Sequence, residues 1–133
     1  MIKNGVHLYG LRPEMVYCSV FVDRVLKAHG IDRIPTSVTG KIHGPGSLHP
    51  VGFAEDIRTK HVMGEPSARK SVLDQVVADL KKNIPQCDFI LEHFGMAQEH
   101  IHWEFDPKDD PIFQQHKQIY KKTGYWPDFI RRQ

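Results

Sequence analysis

The stretch that organises this chain is Ser47-Leu48-His49-Pro50-Val51-Gly52-Phe53-Ala54-Glu55-Asp56. It joins a glycine-rich loop, residues 40–46, to a predicted strand over residues 51–57. Side chains alternate across a strand, so one face carries Phe53, Glu55 and Ile57 and the other carries Ala54, Asp56 and Arg58. Asp56 therefore shares a face with a small residue.

Three stretches around it have the spacing of amphipathic helices. The first runs from Pro13 towards a C-terminal cap at Gly30. The second is capped by Ser67 and ends near Asn83, and the third begins at Asp110-Pro111 and stops at Gly124. The residues predicted to face the core are Met15, Cys18, Val22, Val25 and Leu26 in the first helix, Val72, Leu73, Val76, Val77 and Leu80 in the second, and Ile112, Phe113, His116, Ile119 and Tyr120 in the third.

Further strands are predicted on both sides of the second helix. Residues 31–39 are rich in β-branched side chains, and Pro35 favours a position near a sheet edge. Residues 88–94 and 99–105 predict an antiparallel hairpin. In its second strand Ile101, Trp103 and Phe105 alternate with His100, His102 and Glu104, so one face belongs to the core and the other presents two imidazoles and a carboxylate to a cleft.

These elements predict one α+β domain over residues 1–133, with a small, mainly antiparallel sheet and flanking helices. We expect a monomer whose tail packs against the body through Tyr125, Trp126, Phe129 and Ile130. Cys18 and Cys87 lack the spacing of a cysteine metal site, and we expect two buried or half-buried thiols.

The composition limits the kinds of partner and the location that we expect for this chain. The 18 basic and 16 acidic residues give a formal net charge of +2 and form no basic block, which argues against nucleic acid as the main partner. No stretch approaches the roughly 20 apolar residues of a membrane span. The first five residues also lack the apolar run of a secretory signal, so we expect synthesis in the cytoplasm.

The polar residues of the cleft suit metal-dependent hydrolysis. His49, Asp56 and His102 offer two imidazoles and a carboxylate, and three such ligands leave a fourth position on Zn²⁺ for water. Glu99 would then act as the general base for that water. Other divalent ions also accept this donor set, and the spacing of these residues alone is weak evidence for a metal site.

The pattern Ser47-x-His49-x-x-Gly52-x-Ala54-x-Asp56 resembles the signature of the D-alanyl-D-alanine carboxypeptidase and dipeptidase group of zinc peptidases, and Glu99-x-x-His102 resembles its second half. That group includes L-alanyl-D-glutamate endopeptidases of bacteriophage lysins and shares a core with the hedgehog signalling domain. The resemblance implies one Zn²⁺ on His49, Asp56 and His102, with Glu99 as base. His100 is similar to the first histidine of the H-x-H pair in related murein endopeptidases, which implies an auxiliary catalytic role.

Two features depart from that pattern. Glu99 and His102 differ by three positions, so a regular strand would place them on opposite faces. Glu99 must therefore lie at an irregular strand entrance or on a bulge, and otherwise Glu104 is the next candidate for the base. The family's substrate-holding arginine is replaced by Ile42.

Four residues near the signature are candidates for the substrate side of the site. Lys41, His43 and Arg58 could replace the charge of the missing arginine. Ser47 is expected to hydrogen-bond backbone or a metal ligand's second nitrogen, since no serine-based triad is evident.

The resulting expectation is a zinc peptidase that cuts a bond at or next to a D-amino acid in peptidoglycan stem or cross-link peptides. A phage or prophage lysin that a separate membrane-permeabilising protein releases to the cell wall fits this expectation. Two alternatives stay open. One is a non-catalytic zinc module of the same fold, and the other is a cytoplasmic D,D-dipeptidase acting on free dipeptide.

Overall fold

The structure is a computed structural model, and it describes residues 12–37, 47–49 and 52–127. Within these ranges the chain forms three helices and one four-stranded sheet. The elements in chain order are α1 (Pro13–Ala28), β1 (Pro35–Ser37), β2 (Ala54–Arg58), α2 (Pro66–Asn83), β3 (Cys87–Glu92), β4 (His100–Phe105) and α3 (Pro111–Thr123).

The strand order is β1-β2-β4-β3, and every neighbouring pair is antiparallel. The predicted α+β class with a small antiparallel sheet is thus confirmed. The hairpin β3–β4 has the predicted pairing, and β1 lies at an edge, as Pro35 indicated. The central strand β4 lies between β2 and β3, which places its side chains at the middle of both sheet faces.

One face of the sheet is buried against helices α1 and α2. Ile57, Ile101 and Trp103 are all fully buried there. The helices contribute their predicted apolar stripes, listed by their buried members: Met15, Cys18, Val22 and Leu26 from α1, and Leu73, Val76 and Leu80 from α2. Val72 is 40 % exposed, so its predicted place in the stripe is wrong.

The start of α2 differs from the sequence prediction. Glu65, not Ser67, is the N-cap, and its carboxylate accepts a 2.8 Å hydrogen bond from the Ala68 amide. Pro66 fits the first turn because its missing N–H would have no helical partner there. Ser67 instead donates its hydroxyl to the Glu65 carboxylate.

Helix α3 closes one end of the core with aromatic residues. Its cap is Asp110, whose carboxylate accepts a 3.0 Å hydrogen bond from the Phe113 amide. Phe113 packs against Phe53 and Trp126 at ring-centroid distances of 5.2 and 5.1 Å. Trp126 is 1 % exposed, so this part of the predicted tail packing is confirmed.

Other predictions for this end of the chain have different outcomes. Ile112 and Ile119 are 65 and 36 % exposed, and their predicted inward orientation is wrong. Tyr125 is exposed as well, at 60 %. Phe129 and Ile130 lie outside the described residues.

Two remaining expectations concern the thiols and the membrane. Cys18 and Cys87 are free and buried, as predicted. Among the described residues, no helix has the length and apolar character needed to cross a membrane.

Candidate metal centre

The turn that carries His49 is fixed from two sides. Gly52 has a φ of 82°, a conformation that favours glycine, and its amide donates a 3.0 Å hydrogen bond to the His49 carbonyl. The Tyr120 hydroxyl of α3 donates to the Ser47 carbonyl at 2.6 Å. The Ser47 hydroxyl accepts a bond from the His49 amide at 3.2 Å, so Ser47 has the backbone contact expected of it. His49 is thereby held at the start of β2.

Asp56 and His102 are directly opposite each other on β2 and β4. Because alternate residues share a face, Ala54 and Arg58 lie beside Asp56, and His100 and Glu104 lie beside His102. This is the sheet face opposite the helix-covered core. The predicted face with two imidazoles and a carboxylate is therefore present, and β2 adds a second carboxylate to it.

His49, Asp56 and His102 converge within the reach of one ion. The Asp56 Oδ1 atom is 2.8 Å from His102 Nδ1 and 3.3 Å from His49 Nε2. Two ligands of a tetrahedral Zn²⁺, each about 2.05 Å from the metal, are separated by about 3.3 Å. The His49 separation matches this value, whereas the 2.8 Å between Asp56 and His102 is a hydrogen-bond distance that an ion would have to widen. The side chains of Asp56 and His102 are 16 and 20 % exposed, so the cluster is open to water on one side.

Asp56 and His102 shift each other's pKa. Burial would raise the pKa of Asp56, but hydrogen bonds with His102 and His49 outweigh it and hold that pKa well below its usual range. Burial would lower the pKa of His102, but its bonds to Asp56 and Glu104 raise the pKa to about 10. A metal binding at His102 must therefore displace a proton.

His100 lies next to the cluster without joining it. Its Nδ1 atom is 2.6 Å from the Gln98 carbonyl oxygen, which can only accept, so Nδ1 carries a hydrogen. Its Nε2 atom is 3.1 Å from Glu92 Oε1 and 3.6 Å from Asp56 Oδ1. Both ring nitrogens thus face oxygen acceptors, and donation from Nε2 towards a group bound beside Asp56 requires a hydrogen on each nitrogen.

Glu99 is not brought to the cluster. It precedes β4, and its carboxylate lies on the core side of the sheet, where the side chain is fully buried. It forms a two-pronged ion pair with Arg69, at 2.5 and 3.1 Å, and accepts bonds from the Thr59 hydroxyl at 2.6 Å and the Gly95 amide at 2.8 Å. Burial would raise the pKa of Glu99, but these bonds lower it to about 2.

The substrate-side candidates are distributed unevenly. Arg58 is exposed on the same sheet face as Asp56, two positions along β2. Lys41 and His43 lie outside the described residues. Ser47 contacts backbone, as described above. Of the four candidates, Arg58 is the one that the described part of the chain presents to the open face.

An open groove of about 500 Å³ continues from the cluster over β3. His102 and Glu104 form one end of its lining, and Ile90 lies in its floor with 54 % of its surface exposed. Lysines line the far side: Lys81, Lys108 and Lys117. The groove therefore combines apolar and charged side chains next to His102.

Two side chains that bond Glu99 could not be identified from the sequence. Arg69 and Thr59 were not identified, although Thr59 lies opposite Glu99 once the β2–β4 register is extended by one residue. Arg69 gave no local signal, because it comes from the first turns of α2.

Comparisons of the chain with protein-family models, with curated proteins and with solved structures found no match in any of the three.

Proposed function

We propose that this chain is a zinc peptidase that hydrolyses a bond at or next to a D-amino acid in peptidoglycan stem or cross-link peptides, as a phage or prophage lysin would. The observation that carries the proposal is the convergence of His49, Asp56 and His102, whose donor atoms all lie within 4.8 Å of one another, two imidazoles and a carboxylate being a donor set that Zn²⁺ accepts. The signature around Ser47–Asp56 supports the substrate class. The hedgehog and D-alanyl-D-alanine peptidase fold is part of the same proposal.

When bound, the ion would polarise the scissile carbonyl of the substrate and lower the pKa of a bound water. The chain supplies the rest. His49, Asp56 and His102 hold the ion on the open face, while the groove next to His102 orients the peptide. His100 lies beside Asp56 and, with a hydrogen on each ring nitrogen, would donate from Nε2 to the oxygen that becomes negative in the transition state.

Two carboxylates are candidates for the general base. The signature assigns this role to Glu99, which would have to leave Arg69 and cross to the other sheet face to perform it. Glu104 is on the open face, but its carboxylate is 2.8 Å from His102 Nε2, the ring nitrogen that faces away from Asp56. Activities of Glu99→Gln and Glu104→Gln, each measured on zinc-loaded and folded protein, identify which carboxylate the reaction needs.

The proposal is tested by metal analysis of the purified full chain together with mass spectrometry of products from purified peptidoglycan. We expect one zinc per chain and release of fragments cut at a single type of stem-peptide bond. Loss of both metal and products on treatment with a chelator, and recovery on adding zinc, would support the assignment. A metal-loaded protein that releases no fragments would contradict it.

Arg58→Ala is expected to raise KM about tenfold or more, with little change in kcat, because the guanidinium would contribute a charge-assisted hydrogen bond to a substrate carboxylate. Steady-state kinetics on a soluble stem peptide measure this. Lys70→Ala is the control, since Lys70 pairs with Asp74 on the exposed side of α2. Equal KM values for the wild type and Arg58→Ala would remove Arg58 from the site.

A second candidate is a non-catalytic zinc-binding module of the same fold. The observation that favours it is the burial of Glu99 in an ion pair on the core side, which leaves the signature's base away from the cluster. Such a module would bind zinc stoichiometrically and leave peptidoglycan intact. The product analysis described above distinguishes the two candidates.

A further inference from the structure

We propose that Glu104 is the positioning residue of the metal centre, and that it orients His102 by accepting a hydrogen bond from the ring nitrogen that does not face the metal. The inference rests on the proposed zinc centre and assigns a role to a residue outside the three ligands. Glu104 acts through His102 and need not touch the substrate.

The two ring nitrogens of His102 face different partners. Nδ1 is 2.8 Å from Asp56 Oδ1, and that oxygen is also 3.3 Å from His49 Nε2. Nδ1 is therefore the nitrogen that lies among the other ligand atoms. Nε2 is directed away from them and is 2.8 Å from Glu104 Oε1. With Nδ1 on the metal, Nε2 carries the hydrogen and donates it to Glu104.

This arrangement is the carboxylate–histidine–metal geometry that fixes ring orientation and makes the ligand nitrogen more basic. The sheet enforces it, because Glu104 and His102 are two residues apart on β4 and share its open face. Directly opposite Glu104 on β2 is Ala54, which is small and fully buried. Its methyl group leaves the carboxylate free to reach towards His102.

Among the described residues, the ion pair of Glu104 is the one with His102. Three lysines line the same groove: Lys117 bonds Asp106, Lys108 bonds Asp106 and Asp88, and within the described residues Lys81 has no ion pair with Glu104. Within the described residues, the hydrogen bond of the Glu104 side chain is the one to His102. Glu104 also lies within 4.8 Å of the carboxylates of Asp88 and Asp106, which their lysine partners neutralise.

The test is the zinc affinity of the full chain, measured by competition with a chelating dye. Glu104→Ala is expected to weaken zinc binding about 10- to 100-fold. Glu104→Gln, whose amide oxygen can still accept from Nε2, is expected to recover part of that loss. Circular dichroism and melting of the zinc-free proteins show that each variant is folded.

Glu92→Ala is the matched control. Glu92 also bonds a histidine on β4, since its Oε1 atom is 3.1 Å from His100 Nε2, but His100 is not a ligand. Glu92→Ala is therefore expected to keep wild-type zinc affinity. Cobalt provides a spectroscopic readout, because a reoriented His102 changes the visible bands of Co²⁺-loaded Glu104→Ala, whereas those of Glu92→Ala stay the same.

Two outcomes would overturn the inference. One is wild-type affinity and an unchanged cobalt spectrum in Glu104→Ala, and the other is an equal loss of affinity in Glu92→Ala. Both are distinct from failure of the metal centre itself, in which the wild-type chain binds neither zinc nor cobalt. That last result would overturn the proposed function and this inference together.

Discussion

Arg69→Met is expected to lower the free energy of unfolding by about 3 to 5 kcal/mol, the usual cost of leaving one partner of a buried ion pair unpaired. The Glu99 carboxylate would stay fully buried without its counter-charge. Arg69 also donates to the Val62 and Thr59 carbonyls at 2.7 and 3.2 Å, and both would lose a donor. Urea unfolding followed by circular dichroism measures the change.

Lys70→Met is the matched control for this prediction. Lys70 is the next residue on α2, and its pair with Asp74 is about half exposed on both sides. Such a pair contributes about 0.5 kcal/mol or less. The double variant Arg69→Met/Glu99→Leu should be more stable than Arg69→Met, because it also removes the unpaired carboxylate. A single variant no less stable than the Lys70 control would show that the ion pair is not part of the folded core.

The same carboxylate predicts how stability depends on pH. The pKa of Glu99 in the folded chain is about 2, below its ordinary value of 4.5. A depressed pKa stabilises the fold above the unfolded value, and that contribution is lost as the pH falls from about 4.5 towards 2. It amounts to about 3 kcal/mol. Acid unfolding of Glu99→Gln should lack this component, and an unchanged acid profile in the variant would contradict the assignment.

Much of the fold could be predicted because it depends on local periodicity. Alternation along residues 100–105 fixed which side chains share a face, and the signature-like motif in 47–56 suggested His49 and Asp56 as ligand candidates, which stays a prediction. The pairing of Asp56 with His102 was not predicted, because the register between β2 and β4 joins residues 46 apart in the chain.

The environment of Glu99 could not be predicted, since it depends on a tertiary contact. The alternation of side chains along a strand predicted that Glu99 and His102 would face opposite sides of the sheet. The structure places Glu99 on the core side, without a bulge that would bring its carboxylate to the open face. What the sequence did not contain was the reason, which is that Arg69 reaches the carboxylate from α2, 30 residues away. The cap of α2 was missed for a related reason, as Pro66 makes Glu65 the last residue before the helix.

Asp56→Asn is expected to weaken zinc binding by on the order of a hundredfold or more, because a neutral amide replaces the one charged ligand. Peptidoglycan hydrolysis should fall with it. In the wild type, zinc at about 100 times its dissociation constant adds about 2.7 kcal/mol to stability, which raises the melting temperature by roughly 5 to 15 °C. The variant should show no such rise at the same zinc concentration.

Asp74→Asn is the control for this substitution, because Asp74 is an exposed aspartate on α2, outside the groove, that pairs with Lys70. Its melting temperature should rise with zinc as in the wild type. Asp56 also lies among three imidazoles without any metal, so the zinc-free variant must first be shown to be folded. A folded Asp56→Asn protein that keeps stoichiometric, tight zinc would place the ion elsewhere, and the pairing of Asp56 with His102 would then be an ion pair of the sheet rather than part of a metal centre.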